Sequence, residues 1–383
     1  MEEVNAKNLS EMRRQKKKRR NTQKFLGFMI ILTIVLGLYV SKERWMPDIK
    51  HQNSVFTDDE LAEGEFPIHV SNTSSYKMRS VGDAFALLTD TRLYMISLSG
   101  DIIDARQHTY SNTILKSSGN KTLIYEQNGN NLRVDNKREM LYDKKTDASI
   151  YLASVNEKGY TAVVTASDQY VCELAVYDQS GFQIYSRGCS ERITDVVFDN
   201  DGSGCSIVTI KALEGHIVSE ITSIKFETTE DIWKISDIET CSVSAYVSSN
   251  DETVLFGDNM CGFYKNGEKI FEYTYPDTLV DASYSDSGAA MIFRNRERKK
   301  TTLVIISNPA SGTAVEVTVS DVIKHVLACD DNIFFLTENY VESYDYEGKI
   351  VKKYELNEPY RDFYRSGKYI ILQGHNKVER IEL

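Results

Sequence analysis

Residues 151–187 read YLASVNEKGYTAVVTASDQYVCELAVYDQSGFQIYSR. An inner run gives way to the polar turn Asn156–Gly159, then to a very apolar run. A third run ends at Asp178–Gly181, and an outward-facing strand follows. Short apolar or alternating runs rich in Val, Ile, Tyr, Phe and Thr, parted by Gly, Asn, Asp and Ser, are strand signals. No convincing amphipathic helix competes with them. The unit recurs as DASYSDSGAAMIFRN, TLVIISNPASG and TAVEVTV within residues 281–319, and as HVLACDDNIFFLTENYVESYDYEGKIVKKYEL at 325–356. Turns between third and fourth strands align at Ser97–Gly100, Asp178–Gly181, Lys265–Gly267 and Asp345–Gly348. Each supplies a glycine where the hairpin needs a positive φ. Turns after the first strand align at Asn156–Gly159, Asn200–Gly204 and Ser285–Gly288.

A spacing of about forty residues is the span of one four-stranded propeller blade. Units begin near Tyr76, Ile114, Ile150, Thr194, Ser242, Asp281 and His325. The C-terminus adds RDFYRSG, YIILQGH and KVERIEL, three strands without a fourth, while FPIHV at Phe66–Val70 has no local partner. Pairing the two would complete a composite blade and hide both sheet edges. The expected fold is therefore all-β, a β-propeller over residues 66–383 with eight four-stranded blades, seven being the alternative.

The chain has 383 residues, with 41% apolar and 26% charged side chains, 23 Tyr and only 5 Pro. Those values suit a globular protein with a full core and exclude collagen-like or wholly disordered classes. Charge is unevenly placed. Residues 1–24 carry nine Lys/Arg against Glu2, Glu3 and Glu11, a net of +6, which leaves −17 for the rest of a chain whose total is −11. A nucleic-acid reader shows its basic face on the folded part; here that part is acidic, so no nucleic-acid partner is expected.

The basic tail abuts FLGFMIILTIVLGLYV, residues 25–40, which bears no charge. As a helix it spans about 24 Å, short of the roughly 30 Å hydrocarbon core. Lys24, Lys42 and Arg44 can snorkel, and Trp45 suits the headgroup zone. The residues after the core do not offer the small-residue pattern that signal peptidase cleaves. The expectation is an uncleaved transmembrane signal anchor at 25–41 in the plasma membrane. The positive-inside rule places the tail, 1–24, in the cytoplasm. A polar stalk, 42–65, and the propeller then lie outside the cell membrane.

Searching for chemistry returns negatives. The six His show no HxH or HExxH spacing, and there is no GxSxG elbow, P-loop or GxGxxG. No catalytic, cofactor-binding or metal-binding residue is assigned, and no cofactor is expected. Asp199–Gly204 superficially resembles a calcium loop but lacks the later ligands, so it reads as a tight blade turn. Six cysteines, Cys172, Cys189, Cys205, Cys241, Cys261 and Cys329, all follow the anchor, and none forms a CxxC. Cys172 and Cys189 share one hairpin. A tight turn at Asp178–Gly181 pairs Cys172 with Arg187 and leaves the two cysteines diagonal, so bridging them needs a bulge. A basic insert, RNRERKK at 294–300, contrasts with the acidic background. Arg294, Arg296, Arg298, Lys299 and Lys300 are the candidate binding residues, expected on a long exposed hairpin loop that would meet an anionic polymer or acidic partner.

The unit, with its apolar second strand and D-x-x-G-like turn, resembles the quinoprotein-like and YVTN-type propellers. Trp-Asp dipeptides and tryptophan docking motifs are absent. The layout of basic tail, anchor and divergent propeller resembles uncharacterised membrane-anchored propeller proteins of Gram-positive bacteria, a domain of unknown function, and that resemblance brings no catalytic residues with it. The function expected first is a non-enzymatic module that binds a protein or polymer at the cell envelope. The alternatives are a propeller enzyme of lactonase, glycan-cleaving or dehydrogenase type with its site in the central channel, and a sensor coupled through the anchor to a cytosolic partner.

Overall fold

The computed structural model describes residues 65–70, 76–228, 230–295, 300–307 and 312–383. The tail, the anchor with Lys24, Arg44 and Trp45, and all of the stalk but Glu65 lie outside the described residues. From 68 to 382 the chain forms eight four-stranded antiparallel sheets. Seven are contiguous in sequence: blade 1 (77–107), blade 2 (113–145), blade 3 (150–189), blade 4 (192–238), blade 5 (242–274), blade 6 (278–319) and blade 7 (325–355). Their first strands start within three residues of the positions expected from the repeats.

Burial explains the repeated texture. Second strands such as Ala84–Leu88, Thr253–Gly257 and Ile333–Leu336 are buried at every position, because blades stack face to face and cover both sides of the middle strands. The outer strand Ile350–Glu355 is exposed at five of its six positions and is correspondingly polar. Eight apolar clusters result among the described residues, one at each seam between neighbouring blades.

The eighth blade is composite. Asp362–Ser366, Tyr369–Gln373 and Lys377–Glu382 form three of its strands, and Ile68–His69 adds the fourth, Ile68 opposite Val378 and His69 opposite Lys377. The Val70 N–H donates to the Asn376 carbonyl at 2.8 Å. Tyr76 clasps both ends: its hydroxyl donates to the carbonyls of Gly374 (3.0 Å) and Lys377 (2.7 Å), and the Gln373 side chain donates back to the Tyr76 carbonyl (2.6 Å).

The D-x-x-G turns have a physical reason. Asp178 Oδ1 accepts the N–H groups of Ser180 (2.8 Å) and Phe182 (2.9 Å), while Gly181 sits at φ +81°. A Cβ there would lie 2.9 Å from the Tyr142 ring, so position 181 excludes side chains on both counts. Asp345 repeats the arrangement with Glu347 and Lys349.

Two expectations need correction. Arg294 pairs with Thr301 and Asn295 with Lys300 inside a strand pair, so both ends of the basic insert, Arg294 and Lys300, are strand residues and not part of a loop. Cys172 faces Cys189 rather than Arg187. The turn holds one residue more than the tight form, and a bulge between Val176 and Tyr177 adds another, which moves the register by two.

The seam of blades 1 and 2 carries buried charge beside its apolar cluster. Asp135 of blade 2 is fully buried and receives Arg133 Nε at 2.9 Å and Arg106 Nη1 of blade 1 at 3.0 Å. Burial outweighs both guanidiniums and raises its carboxyl above the usual range. Removing one member of such a network leaves buried charge uncompensated. Asp135→Ala is expected to cost about 3–5 kcal/mol, and Ile68→Ala, which hollows the closing seam, about 2–5 kcal/mol. Val351→Ala on an exposed outer strand should stay within about 0.5 kcal/mol. Urea unfolding measures all three, and equal midpoints would contradict the closure and the charge network alike.

Candidate functional site

The eight first strands wall the central channel, and their sequences decide what it presents. In blades 3 to 6 a register shift near the start of that strand re-aims the residue that follows. In blades 4 and 6 that residue is aspartate. Asp195 Oδ1 accepts the N–H of Val196 (3.0 Å), and Oδ2 accepts the N–H of Ala245 in blade 5 (3.0 Å). Asp281 does the same, with Ala282 (3.0 Å) and with Val326 of blade 7 (3.0 Å). Asp362 of the closing blade caps Phe363 (2.8 Å) and accepts from the Tyr364 hydroxyl. Asp195 and Asp281 thus staple blade to blade along the channel wall, while Asp362 binds within its own blade. Sequence reading missed them, although the signal was present: they recur 86 and 81 residues apart, two blade lengths each, always followed by an apolar residue.

Hydroxyls extend the wall. Ser154 donates to the Val196 carbonyl at 2.7 Å and Ser80 to the Arg365 carbonyl at 2.6 Å. The Arg79 guanidinium lies over the Tyr364 ring, 5.2 Å from its centroid. Tyr246 is pushed up by burial first; Asp195 and Asp281 add to the shift and Arg79 opposes it. Groups from blades 1, 4, 5 and 6 therefore act within one electrostatic space.

At the end marked by the turns after the first strands, the channel widens into a mouth of about 670 Å³. Four carboxylates line it: Glu157, Asp195, Asp199 and Asp286. The single cation on this lining is Lys116, which makes no ion pair among the described residues. It lowers the Asp195 carboxyl, although burial prevails and leaves that group raised. Glu157 and Asp286 are exposed, with Asp286 Oδ1 accepting the Ser249 N–H at 2.8 Å, so the rim faces solvent. A second cavity of about 560 Å³ lies on the opposite face beside the hairpin tip Leu213–Ile217, but it draws on two blades where the mouth draws on five.

Among the sequence candidates, Arg294 is a half-buried strand residue whose guanidinium donates to the Ile323 carbonyl at 3.3 Å. Lys300 continues the neighbouring strand. Arg296, Arg298 and Lys299 lie outside the described residues. The strand ends that carry them, Asn295 and Lys300, point away from the channel mouth because second strands run antiparallel to first strands. Asp199–Gly204 is a blade turn, and Lys225 Nζ sits 2.8 Å from Asp199, where a calcium ion would otherwise be sought. No group of three or more His, Cys, Asp or Glu is placed to hold a metal ion among the described residues. His325 and Asp281 form a histidine–carboxylate pair at 3.3 Å. No hydroxyl or thiol completes it as a nucleophile among the described residues.

That pair makes a pH prediction. Asp281 raises the His325 pKa above its ordinary 6.5, against an opposing effect of burial. A group whose folded pKa is raised contributes fully below its unfolded value and loses that contribution as pH climbs through the folded one. The stability difference between wild type and His325→Gln should therefore be greatest below about pH 6.5 and vanish above the folded pKa. Imidazole NMR titration should show Asp281→Asn lowering the His325 pKa; no change would break the assignment.

Comparison with solved structures places this architecture among known propellers. Sqt1 of Saccharomyces cerevisiae aligns over 85% of this chain and 100% of its own at 12% identity, with a TM-score of 0.59. BamB from Moraxella catarrhalis aligns over 84% and 100% at 10% identity, TM-score 0.56. Sqt1 of Chaetomium thermophilum, solved bound to the N-terminus of the ribosomal protein L10, aligns over 85% and 96% at 12% identity, TM-score 0.54. No curated protein matches the chain in sequence. Residues 55–383 match one family along their whole length, and the chain accordingly belongs to DUF5711, a family of unknown function.

Proposed function

We propose that this propeller is a non-enzymatic protein-binding module, held at the outer side of the plasma membrane by the anchor at 25–41, and that it takes a basic polypeptide segment at its channel mouth. The observation that carries the reading is the mouth itself: carboxylates from blades 3, 4 and 6 surround an open cavity of about 670 Å³ with one cation in its wall. Carboxylates presented by rigid strands attract cationic residues without having to reorganise first. The uncharged run at 25–40 beside nine Lys/Arg supports the anchoring, and the bias of basic residues to its N-terminal side supports the placement. The complex of C. thermophilum Sqt1 with a ribosomal-protein N-terminus is a precedent for a propeller of this fold holding a chain segment.

In-cell crosslinking of the full-length protein, followed by mass spectrometry, tests the reading. Glu157→Lys with Asp286→Lys should weaken the captured partner roughly tenfold or more while the thermal melt stays near wild type. Reversing Arg296, Arg298 and Lys299 to Glu should leave that partner in place, since the strand ends that flank them, Asn295 and Lys300, lie at the other end of the blade. Undiminished capture by the mouth variant would refute the site. A chain beginning at residue 42 should leave the membrane fraction; if it stays, the anchor assignment fails.

A further inference from the structure

Of the six cysteines, Cys172 and Cys189 alone stand opposite each other in a strand pair among the described residues. Cys172 is on the third strand of blade 3, Cys172–Tyr177, and Cys189 ends the outer strand, Gln183–Cys189. Residues directly opposite in an antiparallel pair project to the same side with Cβ atoms about 4.5–5.5 Å apart, close to what a disulfide requires. Both side chains enter the apolar cluster at the seam of blades 3 and 4, and the Cys172 sulfhydryl donates to the Glu191 carbonyl at 3.3 Å. Both are thiols in this structure.

We propose that Cys172 and Cys189 are a disulfide site, closed by thiol–disulfide exchange with an oxidised dithiol carrier at the envelope; the oxidising location rests on the placement proposed above. Cys189 is the more accessible of the two, 9% exposed against 0%. Cys172 and burial hold the Cys189 thiol up, so it attacks the carrier's S–S bond as its proton leaves, forms a mixed disulfide and releases one carrier thiolate. The Cys172 thiolate then attacks Cys189 Sγ, forming the intrablade bond and expelling the second carrier thiolate. Two thiols lose two protons and two electrons, and the carrier disulfide leaves as a dithiol. The resolving role suits Cys172: the neighbouring Cys189 draws its thiol down to about 7 against burial, and Arg192 helps. The other buried thiols, Cys205 and Cys261, are pushed up by burial and face no cysteine, so they stay reduced.

Tryptic mapping separates the two partners. Cleavage after Lys158, Arg187 and Arg192 puts Cys172 in peptide 159–187 and Cys189 in peptide 188–192. Full-length protein in cells is quenched with acid and alkylated with N-ethylmaleimide without reductant, then digested. The expected result is a joined 159–187/188–192 species that dithiothreitol splits completely, with Cys205 and Cys261 carrying maleimide. Thiols free in cells that join when the purified full chain meets oxidised glutathione would uphold the site and overturn the envelope placement. Thiols that stay alkylated under both conditions, or Cys172 joined to Cys205, would overturn the disulfide. Cys172→Ala should lower the melting midpoint of the oxidised protein by about 5 °C and leave that of the reduced protein much closer to wild type; equal losses in both would indicate packing alone and count against the bond.

Discussion

Everything in this domain depends on the pairing of Ile68–His69 with Lys377–Glu382. Each blade is apolar on both faces of its middle strands, so no blade can bury itself alone. A row of stacked blades would leave two apolar faces and two sheet edges open at its ends. Bringing those ends together removes both at once. The clasp joins residues some 300 positions apart, Tyr76 to Lys377. Closure entropy grows only logarithmically with loop length, about 0.6 kcal/mol per doubling, so a ring this large remains accessible. The closing seam is also well packed: Ile68, Val70, Met78, Phe85 and Tyr94 share one cluster with Ile371 and Val378.

The ring also determines what the channel can be. First strands meet around an axis where no further blade covers them, so their inward side chains are polar and bind neighbouring backbone. Asp195 and Asp281 hold N–H groups of the next blade, which ties the carboxylates to the scaffold and fixes their positions. A wall assembled in this way is rigid, and its charge pattern is set by which blade carries which residue. The acidic mouth lies on the face of the first-strand turns, whereas the strand ends Asn295 and Lys300 lie at the opposite end of their blade.

The architecture was legible because it is written in local signals. Glycine after aspartate at 178–181 and 345–348 marks a turn whose carboxylate and positive φ are both satisfied within five residues. The unpaired FPIHV run and the three-stranded C-terminus together announced the composite blade. The channel site was much less visible. Asp195, Asp281 and Asp362 each look like an ordinary polar residue at a strand start, and only the superposition of blades brings them to one wall. The charged seam of Arg106, Arg133 and Asp135 was invisible for the same reason, since its members come from two blades.

The sequence by itself determined the strand texture, a count of eight blades or seven, the closing partners and the separation of a basic, apolar N-terminus from an acidic domain. Those properties follow from side-chain period, turn chemistry and charge, which act over a few residues. Tertiary structure alone decided the register within blade 3, where one extra turn residue and a bulge turn Cys172 from Arg187 to Cys189. It alone decided that Arg294 is a half-buried strand residue, and that carboxylates from three blades share one mouth. A one-residue slip in a strand leaves composition and period unchanged yet moves every partner across it. The partners are therefore settled only when the neighbouring blades pack and one register buries its apolar faces.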